Sequence, residues 1–268
     1  ATGGYRAVLF DIDPQALHGG EQAIRRNLDR GVALGKVEPD VAERARHNLR
    51  TTADLADAVA DADLVIEAAP ESMSLKLELF DKVGGLAPAD CYLASNTSGL
   101  SITEMATASG RPDRFAGMHF FNPVHLMRLV ELVRGLETSD ETMAALVSVA
   151  ETMGKQVVTV NESPGFVTSR INALIGNEAF RMLEQGVASA RDIDTALKLG
   201  LNHPMGPFEM VDLVGLDVRL SILGHLHQTL GDLYRPSNLL IQFVRAGRLG
   251  RKTGRGVYEY DVDGNIVD

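Results

Sequence analysis

Leu64-Val65-Ile66-Glu67-Ala68, closed by Pro70, is a short apolar run of strand length. From Ser72 to Leu86 the period changes, and Leu75, Leu79, Phe80 and Val83 fall on one face of a helix. Tyr92-Leu93-Ala94-Ser95 returns to strand character. Strand, helix and strand repeated at this spacing give an α/β chain with a mostly parallel sheet covered on both faces.

The same alternation extends outward. Upstream, Arg6 to Phe10 is an apolar run ending in Asp11, and an amphipathic stretch opens at Pro14, whose fixed φ suits a first helical turn. Downstream, Phe115 to Phe121, Leu129 to Val133 and Gln156 to Val160 read as further strands. Pro164 and Gly165 then punctuate the chain, and Phe166 to about Val244 is helical in pattern, with Gly200, Pro204-Met205-Gly206-Pro207 and Gly215 marking helix ends. The expected division is an α/β domain over residues 1–161 and an all-α domain over residues 162–268.

Composition sets the bounds. The 268 residues are 45% hydrophobic and 23% charged, enough for two cores. No apolar run approaches the roughly 20 residues that span a bilayer, so no membrane insertion is expected. Cys91 is the one cysteine, which forbids an intrachain disulfide and fits a reducing cytoplasm. A formal charge of −10 argues against nucleic acid as a partner. His18, His47, His225 and His227 have no metal-ligand spacing with a third group, so no metal site is expected.

Doubly wound, Rossmann-like folds that bind dinucleotides place G-x-G-x-x-G after the first strand and an acid at the end of the second. Asp11 suits that acid, yet no such glycine motif lies upstream of it, and Thr2-Gly3-Gly4-Tyr5 reads as the helix end and turn that would follow one. The expectation is that the first strand and glycine loop precede Ala1, in a natural polypeptide longer by about 20 to 25 residues. Read alone, an acid after an apolar run is weak evidence for ribose binding, and Asp11 reads first as a solvated turn carboxylate.

Three segments concentrate polar groups at strand ends, where an open parallel sheet forms its ligand crevice. They are Ser95-Asn96-Thr97-Ser98-Gly99-Leu100, Gly117-Met118-His119-Phe120-Phe121-Asn122-Pro123-Val124 and Leu129-Val130-Glu131-Leu132-Val133. His119 between apolar neighbours needs a partner for its inner nitrogen, and Glu131 between Val130 and Leu132 is costly unless paired. Neighbouring strands would let them satisfy each other. Such a pair is what alcohol oxidation needs: a base titrating near neutrality, oriented by a carboxylate, with the Ser98 hydroxyl holding the reacting oxygen. The spacing alone leaves open a purely structural pair.

These segments, together with Ser163-Pro164-Gly165-Phe166, His203-Pro204-Met205-Gly206-Pro207-Phe208-Glu209 and Gly250-Arg251-Lys252-Thr253-Gly254-Arg255-Gly256-Val257-Tyr258, resemble the L-3-hydroxyacyl-CoA dehydrogenase family, in particular its bacterial 3-hydroxybutyryl-CoA branch. The likeness runs through essentially the whole chain. It implies NAD as cofactor, an acyl-CoA substrate, a homodimer made by the helical domain, and His119 as general base with Glu131 orienting it. It further implies substrate and cofactor contact at Ser98, and cofactor contacts at Asp11, Glu71, Lys76, Asn122 and Lys252. Asn27 and Lys36 fall in the region that contacts coenzyme A, where the match is loose. Ser169 stands where the family often has asparagine, and is kept as a substrate contact. The rival expectations are a dehydrogenase for 3-hydroxyadipyl-CoA or for a sugar acid, as in crystallin-like relatives, and a non-catalytic remnant lacking the phosphate loop.

Overall fold

In the N-terminal part the apolar runs become strands and the amphipathic stretches become helices. The order is β1 (Ala7–Phe10), α1 (Pro14–Ala33), α2 (Pro39–His47), β2 (Leu49–Thr52), α3 (Leu55–Val59), β3 (Leu64–Glu67), α4 (Met73–Leu86), β4 (Tyr92–Ser95), α5 (Ile102–Ala108), β5 (Phe115–Phe120), β6 (Leu129–Arg134), α6 (Asp140–Thr152) and β7 (Gln156–Asn161). The computed structural model describes residues 1–267. The chain divides into two units, the first Ala1–Glu162 and the second beginning at Ser163.

Helix starts follow from local chemistry. Asp13 caps α1 by accepting the Gln15 N–H at 2.8 Å, with Pro14 at the first helical position. Ser101 and Ser139 cap α5 and α6 in the same way. The main sheet runs β3-β4-β5-β6-β7, parallel throughout except that β5 and β6 are antiparallel. β1 and β2 form a separate parallel pair. The sequence reading missed β2. Leu49-Arg50-Thr51-Thr52 has a single apolar residue and pairs only with β1, so no apolar run marks it.

The central strands β4, β5 and β6 are covered on both faces, whereas the edge strands β3 and β7 leave Ile66 and Val158 exposed, and side chains alternate between the faces. Ala116 and Met118 of β5, with Val130 and Leu132 of β6, share a core with Met143, Leu146 and Ala150 of α6. The alternate residues face the other way, where Phe115 meets Phe80 of α4 edge-on with ring centres 4.6 Å apart. On this face a Cβ at Gly117 would lie 2.8 Å from Val133 Cβ and 2.9 Å from Ile102 Cδ1, so only glycine lets α5 approach β5 this closely. His119 and Glu131 belong to the same face by the period of two.

The second unit contains α7 (Thr168–Glu184), α8 (Ala190–Gly200), α9 (Pro207–Val214), α10 (Leu216–Leu230) and α11 (Asn238–Arg245), then a hairpin of β8 (Glu259–Tyr260) and β9 (Ile266–Val267) that the helical pattern did not announce. Phe180, Phe208, Leu223, Leu226 and Leu240 form its fully buried core. Asp212 of α9 accepts the Val257 and Tyr258 N–H groups at 2.9 Å each and the Tyr260 hydroxyl at 2.8 Å, which fastens the C-terminal segment to the helices. That segment turns at Gly250, where φ is +98° and a Cβ would strike the Asp212 carbonyl oxygen. No helix among the described residues is long and apolar enough to cross a membrane.

Candidate active site

The antiparallel register of β5 and β6 sets His119 directly opposite Glu131. Nδ1 of the imidazole lies 2.8 Å from Glu131 Oε2, with His119 only 5% exposed and Glu131 1%. A carboxylate so deeply buried is tolerable because a hydrogen-bond donor faces it, and that donor becomes a full cation when the ring takes a second proton. Engaging Nδ1 directs proton exchange with a ligand to Nε2. The ring also packs on Phe121, centroids 4.6 Å apart.

The end of β4 is tied to the end of β5. Asn96 Oδ1 accepts the Phe120 N–H at 2.8 Å, fixing the backbone next to His119. The following loop is held by Glu71, whose Oε1 accepts the Thr97 hydroxyl at 2.6 Å and the Ser98 N–H at 3.0 Å. The sequence reading did not single out Asn96, Thr97 or Glu67. For Glu67 the available signal was a carboxylate closing an apolar run.

Lys76, expected to line the cofactor groove, is enclosed. Its side chain is 1% exposed and its ammonium sits 2.5 Å from Glu67 Oε1, with Glu71 Oε2 at 3.5 Å. Glu67 in turn accepts the Ser95 hydroxyl through Oε2 at 2.5 Å. A lysine reads as a surface cation from sequence, but here its apolar stem and paired head are both enclosed. The outer carboxylate of this chain, Glu71, is the partly exposed one, at 46%.

The remaining candidates lie on other elements. Asn122 is exposed and precedes Pro123 through a cis peptide bond. Asp11 follows β1 and uses Oδ1 to accept the Asp13 N–H at 2.9 Å. Asn27 on α1 and Lys36 just after it are exposed and touch none of the residues above through a hydrogen bond. Ser169 lies in the first turn of α7 and is half-buried. Lys252, expected to reach for the cofactor, is paired with both carboxylate oxygens of Asp217 at 2.6 and 2.7 Å. A concavity of about 520 Å³ in the first unit is lined by Thr103, Arg134, Gly135, Leu136, Asn161 and Glu162. Arg134 and Asn161 end β6 and β7, so it opens at the far end of the sheet from His119.

Known proteins resemble the chain along its length. Residues 1–163 match the 3-hydroxyacyl-CoA dehydrogenase NAD-binding domain, and residues 165–260 match the C-terminal domain of the same enzymes. A relative from Deinococcus radiodurans described as "Probable 3-hydroxybutyryl-CoA dehydrogenase" is 46% identical over 97% of this chain and 93% of its own. The 3-hydroxybutyryl-CoA dehydrogenase of Bradyrhizobium diazoefficiens is 43% identical over 97% of this chain and 89% of its own. Among solved structures, (S)-3-hydroxybutyryl-CoA dehydrogenase PaaH1 from Ralstonia eutropha superposes with a TM-score of 0.92 at 43% identity, covering 97% of this chain and 92% of that one. With a buried His–Glu pair on adjacent strands and both domain families matched in order, the chain belongs to the 3-hydroxyacyl-CoA dehydrogenase family.

Proposed function

We propose that this chain interconverts a (3S)-3-hydroxyacyl-CoA and the 3-oxoacyl-CoA with NAD, with the short-chain 3-hydroxybutyryl-CoA as substrate. The observation that carries the reading is the His119–Glu131 pair. In oxidation, neutral His119 accepts the hydroxyl proton at Nε2 while Glu131 holds the tautomer and stabilises the imidazolium as it forms. In reduction the imidazolium returns that proton to the carbonyl oxygen. Ser98, on the loop fixed by Glu71, supplies a hydroxyl to the reacting oxygen.

The strand-end residues fit NAD at its ribose and nicotinamide ends. Asp11 is a partly exposed carboxylate at the end of a parallel strand, suited to ribose hydroxyls and repulsive to a 2′-phosphate. Glu71 and Asn122 would border the nicotinamide end, with Lys76 acting behind Glu71. When bound, NAD supplies the hydride acceptor for the carbinol carbon. Asn27, Lys36 and Ser169 are assigned to the acyl-CoA, and Lys252 to the cofactor from its ion pair with Asp217.

The helical unit is assigned the substrate pocket and a homodimer contact. Ile171, Leu199 and Leu213, large apolar side chains left in solvent, support the latter. A cytoplasmic location is consistent with the buried, unbridged Cys91. The deciding experiment is acetoacetyl-CoA reduction by NADH with His119→Gln. A loss of roughly 10³-fold or more is expected, and activity within about tenfold of the parent would remove His119 from the mechanism. Running 3-hydroxybutyrate with and without its CoA moiety tests the substrate class.

A further inference from the structure

The loop 121–128 joins the strand carrying His119 to the strand carrying Glu131, and little apolar burial holds it. Asn122 to Arg128 are all exposed, with Val124 at 43% and Leu126 at 57%. Its internal order comes from the Pro123 carbonyl, which accepts the Leu126 and Met127 N–H groups at 2.9 and 3.0 Å. That turn aims two other carbonyls, of Val124 and Met127, at one ammonium: Lys155 Nζ donates to both, the second at 2.8 Å.

Lys155 is placed for this by the backbone around it. Gly154, at φ +74°, reverses the chain out of α6, and Gln156, the residue after Lys155, begins β7. There Gln156 N–H bonds the Arg128 carbonyl at 2.7 Å, anchoring the base of the loop to the same strand start. Burial pushes the Lys155 ammonium below the usual lysine range, as expected of a cation whose solvent has been exchanged for carbonyl oxygens.

We propose that Lys155 is a positioning residue that clamps the loop 121–128 and thereby sets Asn122 at the nicotinamide end of the site, an inference that rests on the function proposed above. The His119–Glu131 pair is carried by paired strands and does not depend on the clamp. Loss of the ammonium lets the two carbonyls turn to water, so the loop loosens while the base stays in place. The kinetic signature is a change in cofactor KM without a change in the pH profile of kcat.

The test is Lys155→Met in the purified protein, read by amide hydrogen exchange and by steady-state acetoacetyl-CoA reduction. Exchange at Leu126 and Met127 should accelerate by about tenfold or more, with β5 and β6 amides unchanged. KM for NADH should rise roughly five- to twentyfold with kcat within about threefold. Lys155→Arg should bring both readings back to within about threefold of the parent. Parental exchange, or parental KM for NADH, in the methionine variant overturns the clamp. If that variant does not fold, Lys155→Gln decides on the same two readings, because it is shorter and reaches one carbonyl at most. The exchange measurement needs no turnover, so a clamp that fails is distinguishable from a His119 that is not the base.

Discussion

In the sheet unit, buried charge comes as cation–anion or imidazole–carboxylate pairs: Lys76 with Glu67, and His119 with Glu131. In the helical unit, buried carboxylates are held by neutral donors. Asp194 accepts the Phe208 and Glu209 N–H groups and the Tyr258 hydroxyl, and Asp212 accepts two N–H groups and the Tyr260 hydroxyl. Burial wins over these bonds and raises both aspartates above the usual carboxylate range. A carboxylate facing an ionisable partner is set to stabilise a change of charge, whereas one surrounded by peptide N–H and phenol groups is a latch. The contrast is one of partners: the first unit's buried acids face groups that carry or can take a charge, and the second unit's buried acids fasten chain segments through neutral donors. Arg219 fits neither pattern. It is 1% exposed, its Nε has no hydrogen-bond partner among the described residues, and burial pulls its pKa down to about 10.

The contrast breaks most visibly at Glu131. Glu131→Gln should lower kcat for acetoacetyl-CoA reduction by about 10³- to 10⁴-fold, since an amide cannot stabilise the imidazolium. A loss under about tenfold would place that pair among the latches.

Next in size is Lys76→Met, which strands Glu67 in the core and should cost about 3–5 kcal/mol in urea unfolding. Adding Glu67→Gln should recover more than half of that loss. Additive losses would mean the two groups are not coupled.

Asp212→Asn removes one acceptor from three donors and should cost about 1–3 kcal/mol. Its pH dependence carries a sign. Between the unfolded carboxylate value of 3.8 and the raised folded value, the native protein holds a proton that the unfolded chain has released. Asp212 therefore contributes stability that is fully present below 3.8 and is lost as pH rises through the folded value. Without it, stability measured from pH 4 to 7 should climb more steeply with pH than in the parent. An unchanged slope would show that Asp212 titrates alike in both states.

The smallest effect belongs to Arg219→Met, expected to be neutral or stabilising by about 1 kcal/mol because it removes an unpaired buried charge. A marked drop in thermal midpoint would reveal a partner for that guanidinium.

The strands of the main sheet were legible because each carries a run of apolar residues of strand length, Leu64-Val65-Ile66 before Glu67 and Tyr92-Leu93-Ala94 before Ser95. β2 was not, since an edge strand with Arg50 and two threonines needs no such run. Nothing in the local sequence marks Lys155, whose two carbonyl partners lie about 30 residues upstream.

The sequence by itself determined the alternation of strand and helix, the change to helices after Val160, and the cost that obliges His119 and Glu131 to find partners. Tertiary structure brought the partners within reach. It set β5 antiparallel to β6 so that the two residues face each other, and it enclosed Lys76 with Glu67 rather than leaving it at the surface. The physical reason is that desolvation is a property of each residue type, whereas a hydrogen bond requires two groups to arrive within 3 Å of one another, and only the assembled sheet fixes that distance.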